Sequence, residues 1–197
     1  MPESKSDLRT RLRKIRRQMN RHEVVSLSRQ ICARATTLTL YQNARTVGLY
    51  VAMDNEVDPS CLLTDALQCN RQVFLPVTNR QEKTLNFVPY RTETPLRKGA
   101  YGIPEPAPQA DTPTLKTAEG LDLLFLPLVG FDRQGVRLGY GGGFFDRFLE
   151  PAPRPLLAGL AYGFQEVTAI PGDALDVRLD VVVTEQEILF LTKPPAS

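Results

Sequence analysis

Six short apolar runs constrain the fold of this 197-residue chain more than any other feature. They are TVGLYVA (46–52), VFLPV (73–77), LNFVPY (85–90), LDLLFLP (121–127), LLAGLAY (156–162) and LDVVVT (179–184). A strand with one wet face alternates apolar and polar residues, and these runs do not. Continuous runs of this length mark strands covered on both faces, which belong to largely parallel sheets flanked by helices. Residues 59–68 supply a first crossover helix. The length suits one domain, 1–193, with a frayed tail at 194–197 that begins with two prolines.

The N-terminal part has a different period. Ser4, Lys5, Ser6 and Asp7 fit a capping box, and Leu8, Leu12, Ile15 and Met19 then recur at helical spacing. A break at Asn20, Arg21 and His22 precedes a second helix through Val24, Leu27, Ile31, Ala35 and Leu38. The 1–40 region is basic: residues 1–34 hold ten Lys/Arg against Glu3, Asp7 and Glu23, a net of +7, whereas the rest carries −5. Such a basic arm suits RNA, a membrane surface or a small polyanion, or is simply a solvated helix face.

Other classes are disfavoured. No run approaches the roughly 20 apolar residues of a membrane span, and MPESKSDLRTRLRKIRR has no signal-peptide apolar region, so a cytoplasmic protein without a membrane partner is expected. Cys32, Cys61 and Cys69 show no CxxC spacing, and His22 is the single histidine. Neither a disulfide framework nor a zinc site is supported. His22 reads as a solvated residue in a linker between helices.

Four features point to chemistry. Residues 126–149 run from a strand end into RLGYGGGFFDRFL, where Gly139, Gly141, Gly142 and Gly143 let backbone amides approach an anion. It is not a GxGxxG fingerprint, because Phe144 stands where the third glycine would be and no GK[ST] follows. A tight strand-to-helix turn explains the glycines equally well, but Arg137 before the loop and Asp146 with Arg147 after it favour phosphate and Mg2+. Glu56 follows the first strand, where ligands gather in parallel sheets; Glu56 or Asp58 would alternatively cap the next helix. Of Asp173, Asp176 and Asp180 ahead of the last run, Asp173 reads as a turn residue, whereas Asp180 enters a buried strand and needs a partner or a metal. Lys5 and Arg9 lie one turn apart on a helix face, about 60° from the leucine stripe, and can grip a triphosphate. Residues 91–119, with five prolines and two glycines, read as one irregular loop or lid.

These residues resemble the 5-formyltetrahydrofolate cyclo-ligase family. The resemblance runs through KSDLR, YVAMDNEVD, GIPEP, LPLVGFDRQGVRLGYGGGFFDR, GLAYGFQ and LDVVVTE, in order along nearly the whole chain. It implies a three-layer, Rossmann-like α/β fold and ATP- and Mg2+-dependent closure of 5-formyltetrahydrofolate to 5,10-methenyltetrahydrofolate. It implies ATP contacts from Lys5, Ser6, Asp7, Leu8 and Arg9, and from the loop Arg137, Leu138, Gly139, Tyr140, Gly141, Gly142, Gly143, Phe144 and Phe145. Asp146 and Asp180 are the implied Mg2+ ligands. Val51 and Glu56 are the implied folate contacts, with Met53, Tyr101 and Tyr140 placed beside them. Some relatives carry tyrosines at Phe144 and Phe145, and Arg and Lys at Tyr140 and Gly142. Positive charge at the reaction centre then falls to Arg137, Arg147 and the N-terminal helix. A monomer acting on folate and ATP is expected. The competing readings are an ATP-independent sugar-phosphate isomerase or CoA-transferase relative, and an RNA-binding protein using Arg11, Arg13, Arg16 and Arg17.

Overall fold

The apolar runs lie side by side as one sheet. The computed structural model describes residues 3–107, 113–150, 153–171 and 177–191. Its helices are α1 (Lys5–Gln18), α2 (Arg21–Ala35), α3 (Thr39–Asn43), α4 (Ser60–Gln68) and α5 (Phe144–Leu149). Its strands are β1 (Thr46–Gly48), β2 (Gln72–Asn79), β3 (Thr84–Tyr90), β4 (Leu96–Lys98), β5 (Pro104–Pro106), β6 (Leu123–Leu126), β7 (Gly130–Phe131), β8 (Arg137–Leu138), β9 (Leu156–Leu160), β10 (Val181–Val183) and β11 (Ile188–Phe190).

Seven strands form the main sheet in the order β11-β10-β9-β6-β1-β2-β3. The five central ones are parallel. Both edges are antiparallel: β3 returns from β2 through the short turn at 80–83, and β11 pairs with β10. A parallel neighbour needs a crossover of a dozen residues or more, which neither connection has. Side chains alternate across the sheet. Val47, Leu123, Phe125, Ala158 and Val181 face α2, α3 and α4, whereas Leu124, Leu126, Leu157 and Val182 face the layer that contains α5. Burial on both faces is why the runs read as continuous.

Helix α1 stands apart from both layers. Ser4 Oγ accepts from the Asp7 amide at 3.2 Å and starts it. Its buried stripe is Leu8, Leu12 and Arg16; Ile15, expected in the apolar stripe, is 38% exposed. Leu8 and Leu12 pack on Val129, Val136 and Leu138 around the β7–β8 hairpin. A β-carbon on Gly130 would stand 2.6 Å from Leu12 Cδ1, so glycine lets the helix approach this closely. Because the partner is a hairpin at the sheet's end, α1 is carried to the loop that follows β8.

Two further expectations change. His22 lies in the first turn of α2, whose capping box is Asn20 with Glu23, not in a linker. The 91–119 segment is not wholly irregular: β4 and β5 form a ribbon, and Leu115 bridges to Phe87 through two backbone bonds of 2.8 Å. The three thiols are free, Cys32 buried and Cys61 and Cys69 exposed. Asp173, Asp176 and the 194–197 tail lie outside the described residues.

Candidate active site

The strand order reverses about β1, with β2 on one side and β6 on the other. Chain segments leaving the carboxyl ends of such strands diverge and open a crevice. Here the crevice is a cavity of about 340 Å3. After β1 it is walled by Tyr50, Val51, Met53 and Glu56, and after β6 by Pro127 and the glycine loop. Tyr101 and Ile103 from the tip of the β4–β5 ribbon close it from above. Tyr101 holds φ at 58°, stacks edge-on to Phe144 at 6.1 Å, and lies beneath the Arg80 guanidinium at 4.4 Å.

Two carboxylates are buried in this largely apolar wall. Glu56 is 4% exposed; its Oε2 accepts from the Met53 amide at 2.9 Å, and its Oε1 has no hydrogen-bond partner. Burial raises its pKa above the ordinary glutamate range, while the Met53 amide, Arg16 and the Tyr140 hydroxyl pull the other way. A buried orphan acceptor is costly unless a ligand satisfies it. Glu105, 3% exposed, accepts from the Thr78 amide at 3.1 Å and ties the ribbon to β2. Such acceptors, set among Val51, Met53, Leu85 and Phe145, suit a flat heterocycle that presents N–H donors.

A second, smaller cavity of about 50 Å3 adjoins the first and shares Arg137, Gly139, Gly141 and Asp146 with it. Lys5, Arg9, Leu138 and Val177 complete its lining. Arg9 Nε donates to the Gly139 carbonyl at 2.8 Å, which pins α1 to the loop. Gly141 at φ 94° and Gly143 at φ 66° hold conformations that side chains rarely adopt. Arg137 Nη2 donates to Asp146 Oδ1 at 2.7 Å, and its guanidinium lies 5.7 Å from the centre of the Phe145 ring. Helix α5 has six residues, so its dipole adds little to the positive field of Lys5, Arg9 and Arg137. The arrangement suits a polyphosphate.

The structure thus brings Val51, Met53, Glu56, Tyr101 and Tyr140 around one cavity, and Lys5, Arg9 and Arg137 around the other. Several of the expected residues lie outside both cavities. Leu8 is 2% exposed and packs in the core under α1, the Asp7 carboxylate accepts from Ser4 Oγ, and Ser6 lines neither cavity. Arg147 lines neither one: its guanidinium donates to the carbonyls of Lys83 and Gly142, each at 2.8 Å, and latches the loop to the β2–β3 turn. Asp180 does not share a cavity with Asp146. Its carboxylate receives Arg154 at 2.8 and 3.0 Å and the Leu157 amide at 2.8 Å, at the amino end of β10, because a buried acid entering a strand needs donors.

Glu105 lines the larger cavity, and Arg16 and Asp54 stand behind its wall; the sequence reading gave none of the three a role there. Arg16 stands four residues beyond Leu12 and eight beyond Leu8, so the leucine spacing did carry the signal that it is buried. Arg13, Arg16 and Arg17 all donate to the Asp54 carboxylate, and Arg11 pairs with Glu3. The basic face expected for RNA is therefore engaged within the chain. Burial pushes the Asp54 carboxyl up, but the Arg17 hydrogen bond and the charges of Arg16 and Arg17 outweigh it and hold the group below the ordinary aspartate range. Its contribution to stability is present above the unfolded pKa of about 3.9 and is lost as pH falls through the lower folded value. Urea midpoints measured from neutral to acid pH are expected to decline more steeply for the native chain than for Asp54→Asn, which starts from a lower midpoint.

A crevice suited to a heterocycle, joined through a glycine loop to a cationic pocket at the carboxyl ends of parallel strands, is the arrangement of an α/β enzyme. The family profile of the 5-formyltetrahydrofolate cyclo-ligase family matches residues 1–185, and the chain belongs to that family. It is 33% identical over 185 residues to a 5-formyltetrahydrofolate cyclo-ligase of Haemophilus influenzae, covering 92% of this chain and 98% of that one. It is 30% identical to the Escherichia coli K12 protein of the same name, covering 90% and 98%. The solved Aquifex aeolicus 5,10-methenyltetrahydrofolate synthetase superposes with a TM-score of 0.83 at 30% identity, covering 98% and 95%.

Proposed function

We propose that this chain closes 5-formyltetrahydrofolate to 5,10-methenyltetrahydrofolate with ATP, releasing ADP and phosphate. The observation that carries the reading is the pairing of two cavities across one glycine loop, one lined by the orphan acceptor Glu56 and the other by Lys5, Arg9 and Arg137. Family membership supplies the substrate class.

The formyl group on N5 is an amide-like carbonyl, a poor electrophile whose oxygen is a poor leaving group. Transfer of the γ-phosphoryl group to that oxygen breaks the β–γ phosphate linkage and releases ADP. N10 then attacks the activated carbon and loses its proton; the C–O bond breaks and phosphate departs with the former formyl oxygen. The protein's part is alignment and charge neutralisation. Lys5 and Arg9 bind phosphate oxygens. Arg137, 6% exposed and held by Asp146, is the cation lying between the cavities. Glu56 orients the pterin through its N–H groups, and Tyr101 on the ribbon covers the ring.

Magnesium usually takes one or two protein carboxylates and completes its shell with substrate phosphates and water. Asp146, half exposed and lining both cavities, fits that role, whereas Asp180 does not. When bound, the ion would supply neutralisation of phosphate charge. Asp146→Asn is expected to raise the magnesium concentration giving half-maximal rate about tenfold. Asp180→Asn should leave that dependence unchanged and lower the thermal midpoint.

The decisive assay mixes protein, MgATP and 5-formyltetrahydrofolate and follows the absorbance of the methenyl product. Product that forms equally well without ATP would sink the reading and favour the isomerase-like class.

A further inference from the structure

Arg16 lines neither cavity, yet at 1% exposure it is the least exposed charged side chain among the described residues. Its fork reaches backbone on two segments, donating from Nε to the Asp54 carbonyl at 2.8 Å and from Nη1 to the Leu128 carbonyl at 3.2 Å. Nη2 donates to the Tyr140 hydroxyl. Arg13 and Arg16 also lie over the Tyr140 ring, at 5.1 and 5.5 Å from its centre. A hydroxyl that accepts from arginine keeps its own proton to donate to a ligand in the cavity that Tyr140 lines. The carboxylate next to it is Glu56, which interacts with Tyr140 and Arg16 across the cavity wall.

We propose that Arg16 is a positioning residue for folate: by gripping the Tyr140 hydroxyl it fixes that phenol beside Glu56, so the two present one rigid polar face to the reduced pterin. The proposal rests on the cyclo-ligase reading for its ligand. Two observations make the role more than structural. Glu56 Oε1 is buried without a partner, so the face beside Tyr140 is completed by something from outside the chain. Arg9 and Arg16, two turns apart on α1, hold the adjacent loop residues Gly139 and Tyr140. The helix that grips the nucleotide side of the loop therefore also sets the folate side.

Glu56 is surrounded by Arg16 from α1, Tyr140 from the loop, Asp54 and Tyr50 from its own segment, and Tyr162 beyond β9. Arg16 is the cation in that set, and it favours the ionised carboxylate. Its removal moves the acid limb of kcat/KM to higher pH.

The test is steady-state kinetics with Arg16→Met, Arg16→Lys and Tyr140→Phe, varying 5-formyltetrahydrofolate and MgATP separately. Arg16→Met is expected to raise the folate KM about tenfold, with the ATP KM changed by about twofold at most. Its acid limb should shift upward by up to about one pH unit. Arg16→Lys should restore the acid limb through its charge but not the folate KM, since an ammonium cannot reproduce the fork. Tyr140→Phe, which removes one hydroxyl from the cavity wall, should raise the folate KM and decides the matter if Arg16→Met fails to fold. Native folate KM and acid limb in the folded variants, with only the thermal midpoint lowered, would overturn the proposal. An inactive native protein would instead overturn the cyclo-ligase reading. Calorimetry with 5-formyltetrahydrofolate alone, comparing native protein with Tyr140→Phe, would then decide Arg16's role by the presence or absence of an affinity difference.

Discussion

Glu56→Gln is expected to lower kcat/KM for 5-formyltetrahydrofolate by about 10- to 100-fold, the worth of a hydrogen bond to a charged group, while raising the thermal midpoint. The two effects share one cause. An ionised carboxylate with an unpartnered oxygen at 4% exposure is held in the fold at a cost. Glutamine keeps the acceptor from the Met53 amide but carries no charge, so folding becomes easier and substrate recognition weaker. The pH dependence follows with a definite sign. The folded pKa lies above the unfolded one, so the penalty is present at neutral pH and is relieved as pH falls through the folded value. Substrate binding runs the other way, because it needs the ionised form. The native enzyme should therefore show an acid limb in kcat/KM centred above the ordinary glutamate range, and Glu56→Gln should lack it. A Gln variant with native kcat/KM and the same acid limb would remove Glu56 from the site.

Phe87→Ala is expected to lower stability by about 3–5 kcal/mol, which in a domain of this size is about 10 °C in the thermal midpoint. Phe87 is fully buried, and its ring meets Phe148 at 4.7 Å and Phe145 at 6.4 Å between centres. Both aromatic partners belong to α5, the element that ends the glycine loop. Truncation leaves a void beneath α5, so the loop loses its support along with the core. The KM for MgATP should rise in the fraction that remains folded, although Phe87 lines neither cavity. Calorimetric melting and ATP-dependent kinetics check both halves. A midpoint within about 3 °C of the native value would show that α5 is anchored elsewhere.

Much of the site was legible in order but not in depth. The loop glycines 139, 141, 142 and 143 and the acid after the first strand could be read directly, because backbone conformation and strand-end placement are local or topological properties. Arg147 could not be separated from Arg137 in this way. Both flank the loop, and only the fold shows one facing the cavities and the other latched to Lys83 and Gly142 carbonyls. Asp180 could not be placed for a similar reason. A buried acid entering a strand needs donors, and the sequence does not reveal that Arg154 and the Leu157 amide supply them from the start of the adjacent strand β9.

The edges of the sheet divide the same way. Parallel pairing followed from continuous apolar runs, but β3 and β11 reverse because their connections are too short for a crossover, a matter of chain reach rather than hydrophobicity. Sequence by itself determined the α/β layering, the glycine loop and the family, since these depend on residue type at short spacing. Tertiary structure alone decided which charges meet: Arg16 with Tyr140 and Asp54, and Arg137 with Asp146. Arg16 and Tyr140 lie 124 positions apart in the chain. Charge pairing at such separations is set by how α1 docks on the β7–β8 hairpin, and no local period records it.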